Sequence, residues 1–320
     1  MRYLGGRFLA DEQAFRPGLV ETPAVRATRM SDTRCAIKTA LNLDVVGTPR
    51  SSERITWNDR DSLLYALAIG AGHEQLSYST ENSIGVGHQV YPTFASALSS
   101  NLGESPLAGL GDVDLSTVVQ AEQSVVQLQV IPATGSVDQM TSVVEILDKG
   151  TFALVVTEAS GAIAGEPLYA TRASWAVRGA GGWGGSRGEK ADRPQLPARP
   201  PDVRCSFQTT PDQALLYRLT GDRHPLHSDP TFARHAGFDQ PILHGQCTFG
   251  IVGRLLSEEF CGGRSAQFKE LVAQLRGPVV PGERITVDAW SIEGGNVRFT
   301  ASVGDRLVLD QGRFVFEPDA

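Results

Sequence analysis

Four of the six histidines in this 320-residue chain fall between positions 224 and 244. Across 217–254 the chain reads YRLTGDRHPLHSDPTFARHAGFDQPILHGQCTFGIVGR. Asp222 and His227 stand five residues apart, and Pro225 between them forces a turn that can aim both side chains into one pocket. A carboxylate and an imidazole placed together can hold a water molecule and move protons in both directions. Gly245 falls where a helix is predicted to begin. Its unpaired N–H, assisted by the helix dipole, can polarise a carbonyl oxygen, and the missing Cβ lets a substrate approach the backbone.

Other chemistries compete for the same residues. His224, His227, Asp229 and His235 are metal-ligand types, but the spacing is not HExxH and Pro225 breaks any helical face, so no metal is expected. A serine nucleophile has no GxSxG to sit in, and Ser228 has no special context. Taken singly, Asp222 could cap a turn and His227 could be a half-buried histidine with its hydrogen bonds satisfied. The four cysteines, Cys35, Cys205, Cys247 and Cys261, show no CxxC spacing and read as reduced, mostly buried thiols of a cytoplasmic protein.

These residues need a scaffold. The stretch His244–Phe260 is the best helix candidate, with Cys247, Ile251 and Leu255 beside Phe249, Val252 and Leu256 giving an apolar surface over much of its girth. Such a helix is normally buried, and the pair Gly262-Gly263 ends it. Strands are predicted at Arg284–Ile292, Val297–Val303 and Arg306–Phe316, and upstream at Val143–Leu147, Phe152–Glu158 and Ala170–Val177. The stretch 179–201, dense in Gly and Pro, reads as a long connection. It divides the chain into halves 51–178 and 202–320, with residues 1–50 an extension flexible in part.

The halves share landmarks in the same order. Tyr65-Ala-Leu-Ala, Val90-Tyr-Pro-Thr-Phe and the strand-like run Ser124–Ile131 in the first are matched by Tyr217-Arg-Leu-Thr, Gln240-Pro-Ile-Leu-His-Gly and the corresponding run Leu271–Leu275 in the second, about 150 positions on. A tandem duplication follows, each copy an antiparallel sheet with a helix packed on one face, an α+β arrangement. The formal net charge of −7, from 36 acidic and 29 basic residues, argues against a nucleic-acid binder. No apolar run approaches the ~20 residues of a membrane-spanning helix.

The run Gly221-Asp222-Arg-His-Pro225-Leu226-His227-Ser-Asp229-Pro230, followed by Gly237-Phe238 and Pro241-Ile-Leu-His-Gly245, resembles the MaoC-like, R-specific enoyl-CoA hydratases. More narrowly, it is similar to the double-hotdog members of peroxisomal multifunctional β-oxidation enzymes and of mycobacteria. Weaker similarity runs from about Arg54 onward. The resemblance implies two hotdog units, each a sheet wrapped around a helix, and hydration of a trans-2-enoyl-CoA to a (3R)-3-hydroxyacyl-CoA in fatty-acid or sterol side-chain metabolism. It implies that Asp222 and His227 are catalytic and that the Gly245 N–H binds the thioester oxygen. It implies no cofactor, because CoA is part of the substrate, and a homodimer is possible.

The first unit reads Ile69-Gly-Ala-Gly-His-Glu-Gln in place of the motif, so it is expected to accommodate the acyl chain without catalysing, His73 and Glu74 notwithstanding. The family usually has Asn where this chain has His224, which is counted here with the catalytic residues; it can replace one donor or acceptor but, if protonated, would perturb the pair. Arg254, Arg264, Lys269 and Arg276 are the candidate partners for the CoA phosphates. Alternative readings are a 3-hydroxyacyl dehydratase acting on acyl carrier protein and a non-catalytic acyl-CoA-binding hotdog protein.

Overall fold

The structure, a computed structural model, describes residues 41–48, 53–100, 102, 105, 107–189 and 195–319. Among the described residues, ten strands form one antiparallel sheet. They are β1 (Glu53–Trp57), β2 (Val118–Gln127), β3 (Gly135–Asp148), β4 (Phe152–Ile163), β5 (Glu166–Arg178), β6 (Val203–Gln208), β7 (Phe268–Leu275), β8 (Arg284–Ile292), β9 (Asn296–Val303) and β10 (Arg306–Phe316). The α-helices among the described residues are α1 (Asp59–Ala68), α2 (Leu76–Ser79), α3 (Phe94–Ser100), α4 (Gln213–Tyr217), α5 (Pro230–His235) and α6 (Gly245–Cys261).

The strand order, β1-β3-β4-β5-β2-β7-β10-β9-β8-β6, is a palindrome of the two halves. Each contributes five strands in equivalent order, and the two meet where β2 pairs antiparallel with β7. The duplication also shows in a repeated ion pair. Arg54 reaches Asp138 from β1 to β3, and Arg204 reaches Asp288 from β6 to β8, each across 84 positions of chain. This is the double-hotdog arrangement that the resemblance implied.

The central helix of the second half runs Gly245–Cys261, one residue later than predicted, because His244 is extended (φ −57°, ψ 136°) and serves as its N-cap residue. Gly262 closes it in the left-handed region, φ +54°. Its residues from Gln246 to Ser257 are all buried, as an all-round apolar helix requires. The helix after Tyr91-Pro92 in the first half is much shorter, seven residues against seventeen.

Two strands escaped the sequence reading. The edge strands β1 and β6 are short and carry charged or polar residues at alternate positions, which blunts an open edge but hides the apolar period. The strands of the first half also extend beyond their predicted cores, into segments such as Gly135–Thr141 with no continuous apolar run. Most of the expected N-terminal extension lies outside the described residues. Its last part, 41–48, is tied down: Asn42 N donates to the Leu110 carbonyl, Gly47 N donates to Val143 at 2.9 Å, and Leu41 and Val45 pack on Leu110, Val143 and Val155.

The Gly-rich connection begins as an anchored segment. The Asp148 carboxylate accepts backbone N–H bonds from Gly150, Gly182 and Gly184, each at 2.8 Å. Those donors, Gly182 first, hold its pKa down at about 2. A carboxylate pKa below its unfolded value contributes stability above that value and loses it as pH falls toward the folded pKa, here between about 4 and 2. In Asp148→Ala the same anchor is absent at neutral pH. Limited proteolysis should then cut within 179–201 several-fold faster than in the parent chain, and an unchanged rate would show that the glycines hold themselves.

Candidate active site

The segment between α4 and α5 is assembled by short-range backbone needs. Gly221 sits at φ +121°, a conformation that a side chain would strain. The Asp222 Oδ1 accepts the His224 N–H at 3.0 Å, closing a local turn. His224 then caps the single 3-10 turn Pro225–His227, its Nδ1 accepting the Leu226 N–H at 3.3 Å. Asn is a strong residue at such a cap, so His224 meets the same structural demand with a ring nitrogen. Asp229 caps α5 by accepting from Thr231 and Phe232, and Pro230 occupies the first helical turn. Thus His224, Pro225, Asp229 and Pro230 build the loop, and Asp222 and His227 are left to face the cavity.

That cavity measures about 670 Å³ and is lined by Asp222, His224, His227 and Gly245. The first half supplies part of its wall through Leu107, Leu115, Val118, Val119 and Trp175. The site therefore belongs to both halves, although its reactive groups all lie in the second.

Ring tautomers follow from the backbone. His227 Nδ1 lies 2.8 Å from the Ile242 carbonyl, and a carbonyl can only accept. Nδ1 therefore carries the hydrogen, and Nε2 is left as a lone-pair acceptor. Burial pushes the pKa of His227 below its ordinary value, against the opposing pull of the Asp222 carboxylate. Burial likewise lowers the pKa of His224, so it stays uncharged near neutral pH and does not add a positive charge beside Asp222.

A third ring belongs to this group, and the sequence reading gave it no role. His244 is 1% exposed, and its ring stacks on His227 at 3.7 Å between centroids. Its Nε2 donates to the Asp222 backbone carbonyl at 3.3 Å, and the Tyr217 ring lies 4.8 Å away. Burial holds the His244 pKa well below normal. Its position just before Gly245, within the histidine cluster, was the available signal. Asp222, His227 and His244 each place one ligand-type atom within 4.8 Å of the others. Each ring gives one nitrogen to a backbone carbonyl and keeps the other as an acceptor.

Gly245 opens α6, so its N–H belongs to the first turn that lacks intrahelical partners. A Cβ there would come within 2.3 Å of Leu275 Cδ2 and 3.2 Å of Gln120 Oε1. Any side chain there would have to displace the end of Leu275.

The basic residues separate sharply. Arg276 lines the cavity and pairs with Asp310 at 3.3 Å. Arg254 does not qualify: its side chain is 4% exposed, donates to the Ile69 carbonyl and Glu258, and stacks over Phe207. It is a core cation joining the two halves, inaccessible to a phosphate. Arg264 pairs with Asp319 and Lys269 with Glu317, and neither lines the cavity. Arg264 follows the far end of α6, about 25 Å along the helix from Gly245. Two cations that the sequence did not single out do line it, Arg178 and Arg223. Arg178 is held by the Thr117, Ser116 and Ala236 carbonyls. An arginine at the end of a first-half strand carries no local sequence signal of such a role. His73 and Glu74 are exposed and stand outside this cavity.

Comparison with known proteins covers both halves. A model described as MaoC like domain matches residues 192–311, and one described as MFE-2 hydratase 2 N-terminal domain matches 55–179. The chain is 39% identical over 284 residues to 3-hydroxyacyl-thioester dehydratase Y of Mycobacterium tuberculosis, covering 85% of this chain and 97% of that one. It is 34% identical to the peroxisomal enoyl-CoA hydratase 2 of Arabidopsis thaliana, covering 79% and 87%. A solved MaoC-like dehydratase from Phytophthora capsici superposes with a TM-score of 0.78 at 31% identity, over 87% of this chain and 98% of that one.

Proposed function

This chain belongs to the MaoC-like hydratases and dehydratases of double-hotdog architecture, and from that premise we propose that it is a hydro-lyase that reversibly adds water to a trans-2-enoyl-CoA, forming the (3R)-3-hydroxyacyl-CoA. One observation carries the assignment of roles. His227 Nε2 is left as a neutral acceptor beside the Asp222 carboxylate, in a cavity that also contains Gly245. Two acceptors can take both hydrogens of one water, which aims a lone pair of its oxygen outward. The thioester oxygen of the substrate accepts from the Gly245 N–H, which stabilises the enolate-like charge that builds as the water attacks the β-carbon. A proton leaves the water to the pair, and the α-carbon is protonated from the same face. Dehydration retraces these steps. His244 holds the Asp222 backbone and the His227 ring in place, acting through them.

Arg178, Arg223 and Arg276 are the cations positioned to meet the phosphates of CoA. The relative named a 3-hydroxyacyl-thioester dehydratase favours a second reading of the same chemistry run in reverse, on thioesters carried by a protein. Matched CoA and carrier-protein substrates separate the two. A role in fatty-acid or sterol side-chain metabolism and a cytoplasmic location complete the proposal. Among the described residues no helix is long and apolar enough to cross a membrane.

The test is a panel of enoyl-CoAs followed by loss of enoyl-thioester absorbance, with the product coupled to 3R- or 3S-specific hydroxyacyl-CoA dehydrogenases. One fixed water attacks one face, so only the 3R coupling should respond. A 3S product would relocate the water.

His224→Asn keeps a cap for the 3-10 turn and removes a ring that burial already keeps neutral. Its kcat should stay within about threefold of the parent, with the acid limb of the pH profile unmoved, because His227 sets that limb from below its ordinary pKa. A fall of about 100-fold, roughly 2.7 kcal/mol in the barrier, would give His224 a chemical part of its own.

A further inference from the structure

The two halves differ where their symmetry would make them alike. The inner sheet face of the second half is apolar, with Ile285, Val287, Ala289, Val297, Phe299 and Ala301 all buried. On the first half the buried residues include Gln123, Gln139, Thr157 and Thr171. Gln123 sits across the central seam from Ala273. Gln139 faces Glu53 on β1 as Ala289 faces Val203 on β6. Buried polar groups are unfavourable unless something hydrogen-bonds to them.

The helix over this polar face is short. The α6 helix covers its own sheet for seventeen residues, whereas α3 stops at Ser100 after seven. Where α3 stops there is a small recess of about 10 Å³, room for one water-sized group. Its lining includes Ser99, Gln123, Thr157 and Thr171. It shares Ser100, Trp175 and Gln246 with the large cavity that holds Asp222 and His227, so the two spaces adjoin. The sheet residues are partnered within the protein: Thr171 donates to Ser99 at 3.0 Å, Thr157 donates to the Ala173 carbonyl and accepts from the Trp175 indole, Gln123 accepts from Gln120, and Gln139 accepts from Tyr169. Gln246 donates to Ser100 at 2.7 Å, while its Oε1 is buried without a partner. An acceptor left over in a polar recess calls for a donor.

We propose that this recess receives one hydroxyl group carried on the acyl chain, so that the preferred substrates are oxygenated acyl thioesters rather than plain fatty ones. The inference rests on reading the large cavity as the enoyl-thioester site. A methyl terminus in the recess would leave the Gln246 Oε1 without a donor. A hydroxyl on the chain can donate to it. Sites built to hydrogen-bond a substrate hydroxyl discriminate strongly against the analogue that lacks it.

The test uses the full chain and matched pairs of trans-2-enoyl-CoAs of eight to fourteen acyl carbons, one plain and one bearing a terminal hydroxyl. At one chain length the hydroxylated member should have a kcat/KM at least about tenfold higher. In Gln246→Leu that ratio should collapse toward one. Should that variant fold poorly, the wild-type panel decides by itself. Plain chains hydrated as well as or better than hydroxylated ones at every length, or a ratio that survives in the folded variant, overturns the proposal while leaving the hydratase reading intact. Failure to hydrate either member at any length overturns both.

Discussion

Asp222→Asn and His227→Ala should each lower kcat by at least about 100-fold, the scale of a lost general acid–base group. KM should stay within a few-fold, because the cavity walls and the cationic rim are untouched. Both side chains are assigned to one water, so removing either disables the same step. The double variant should then be at most about threefold slower than the worse single variant, since groups that act as a unit are not additive. The asparagine form still accepts the His224 N–H through its amide oxygen, so the local turn that Asp222 closes is preserved. A loss seen in that variant therefore reports chemistry and not a collapsed loop. Near-normal turnover in Asp222→Asn would remove the shared water from the mechanism.

The second large effect concerns the halves. Residues 202–320 expressed alone should give no soluble, active enzyme, even though they contain Asp222, His227 and Gly245. In the whole chain β7 is paired with β2 from Glu122–Gln274 to Val126–Glu270. Without the first half that strand becomes an open, largely apolar edge, a template for aggregation. The central helix loses its other side as well. Gly250 packs beneath Tyr65 and Ile69, Arg254 donates to the Ile69 carbonyl at 3.0 Å, and Gln213 donates to the Ala68 carbonyl at 2.7 Å. Cutting there strands a buried guanidinium without its carbonyl and exposes the apolar face of α6. Size-exclusion chromatography and the hydration assay read the result, and co-expression with residues 41–201 should restore both. A monodisperse, active 202–320 fragment would show that the second unit is self-sufficient.

Much of this was legible in local sequence because the physics involved is local. The 3.6-residue period of Cys247, Ile251 and Leu255 marked the central helix, and Gly262 marked its end, because capping and amphipathicity act over a turn or two. The turn chemistry of Gly221, Pro225, Asp229 and Pro230 likewise works within a few residues, so the loop presenting Asp222 and His227 could be read before its surroundings were known. The edge strands β1 and β6 were missed for the converse reason. Their residues alternate to suit a partner strand 76 to 86 positions away, and that partner is invisible in a short window.

The cations divided along the same line. Arg254 reads as a surface charge in a list of residues, yet the fold drives it inward against Glu258 and Phe207. Arg178 has no local signature, but the sheet brings the end of β5 beside the Ala236 carbonyl and into the wall of the cavity. The tautomer of His227 depends on where the Ile242 carbonyl lies, fifteen residues on. The stack of His244 on His227 depends on where α6 begins relative to that loop. Residue types and short-range turn and helix signals were enough to mark the acid–base pair and the loop and helix that present it. Which nitrogen is free to accept a proton, which arginines face the cavity and how the first half shapes its wall emerge from the folded chain, because they depend on long-range packing and burial that no local pattern encodes.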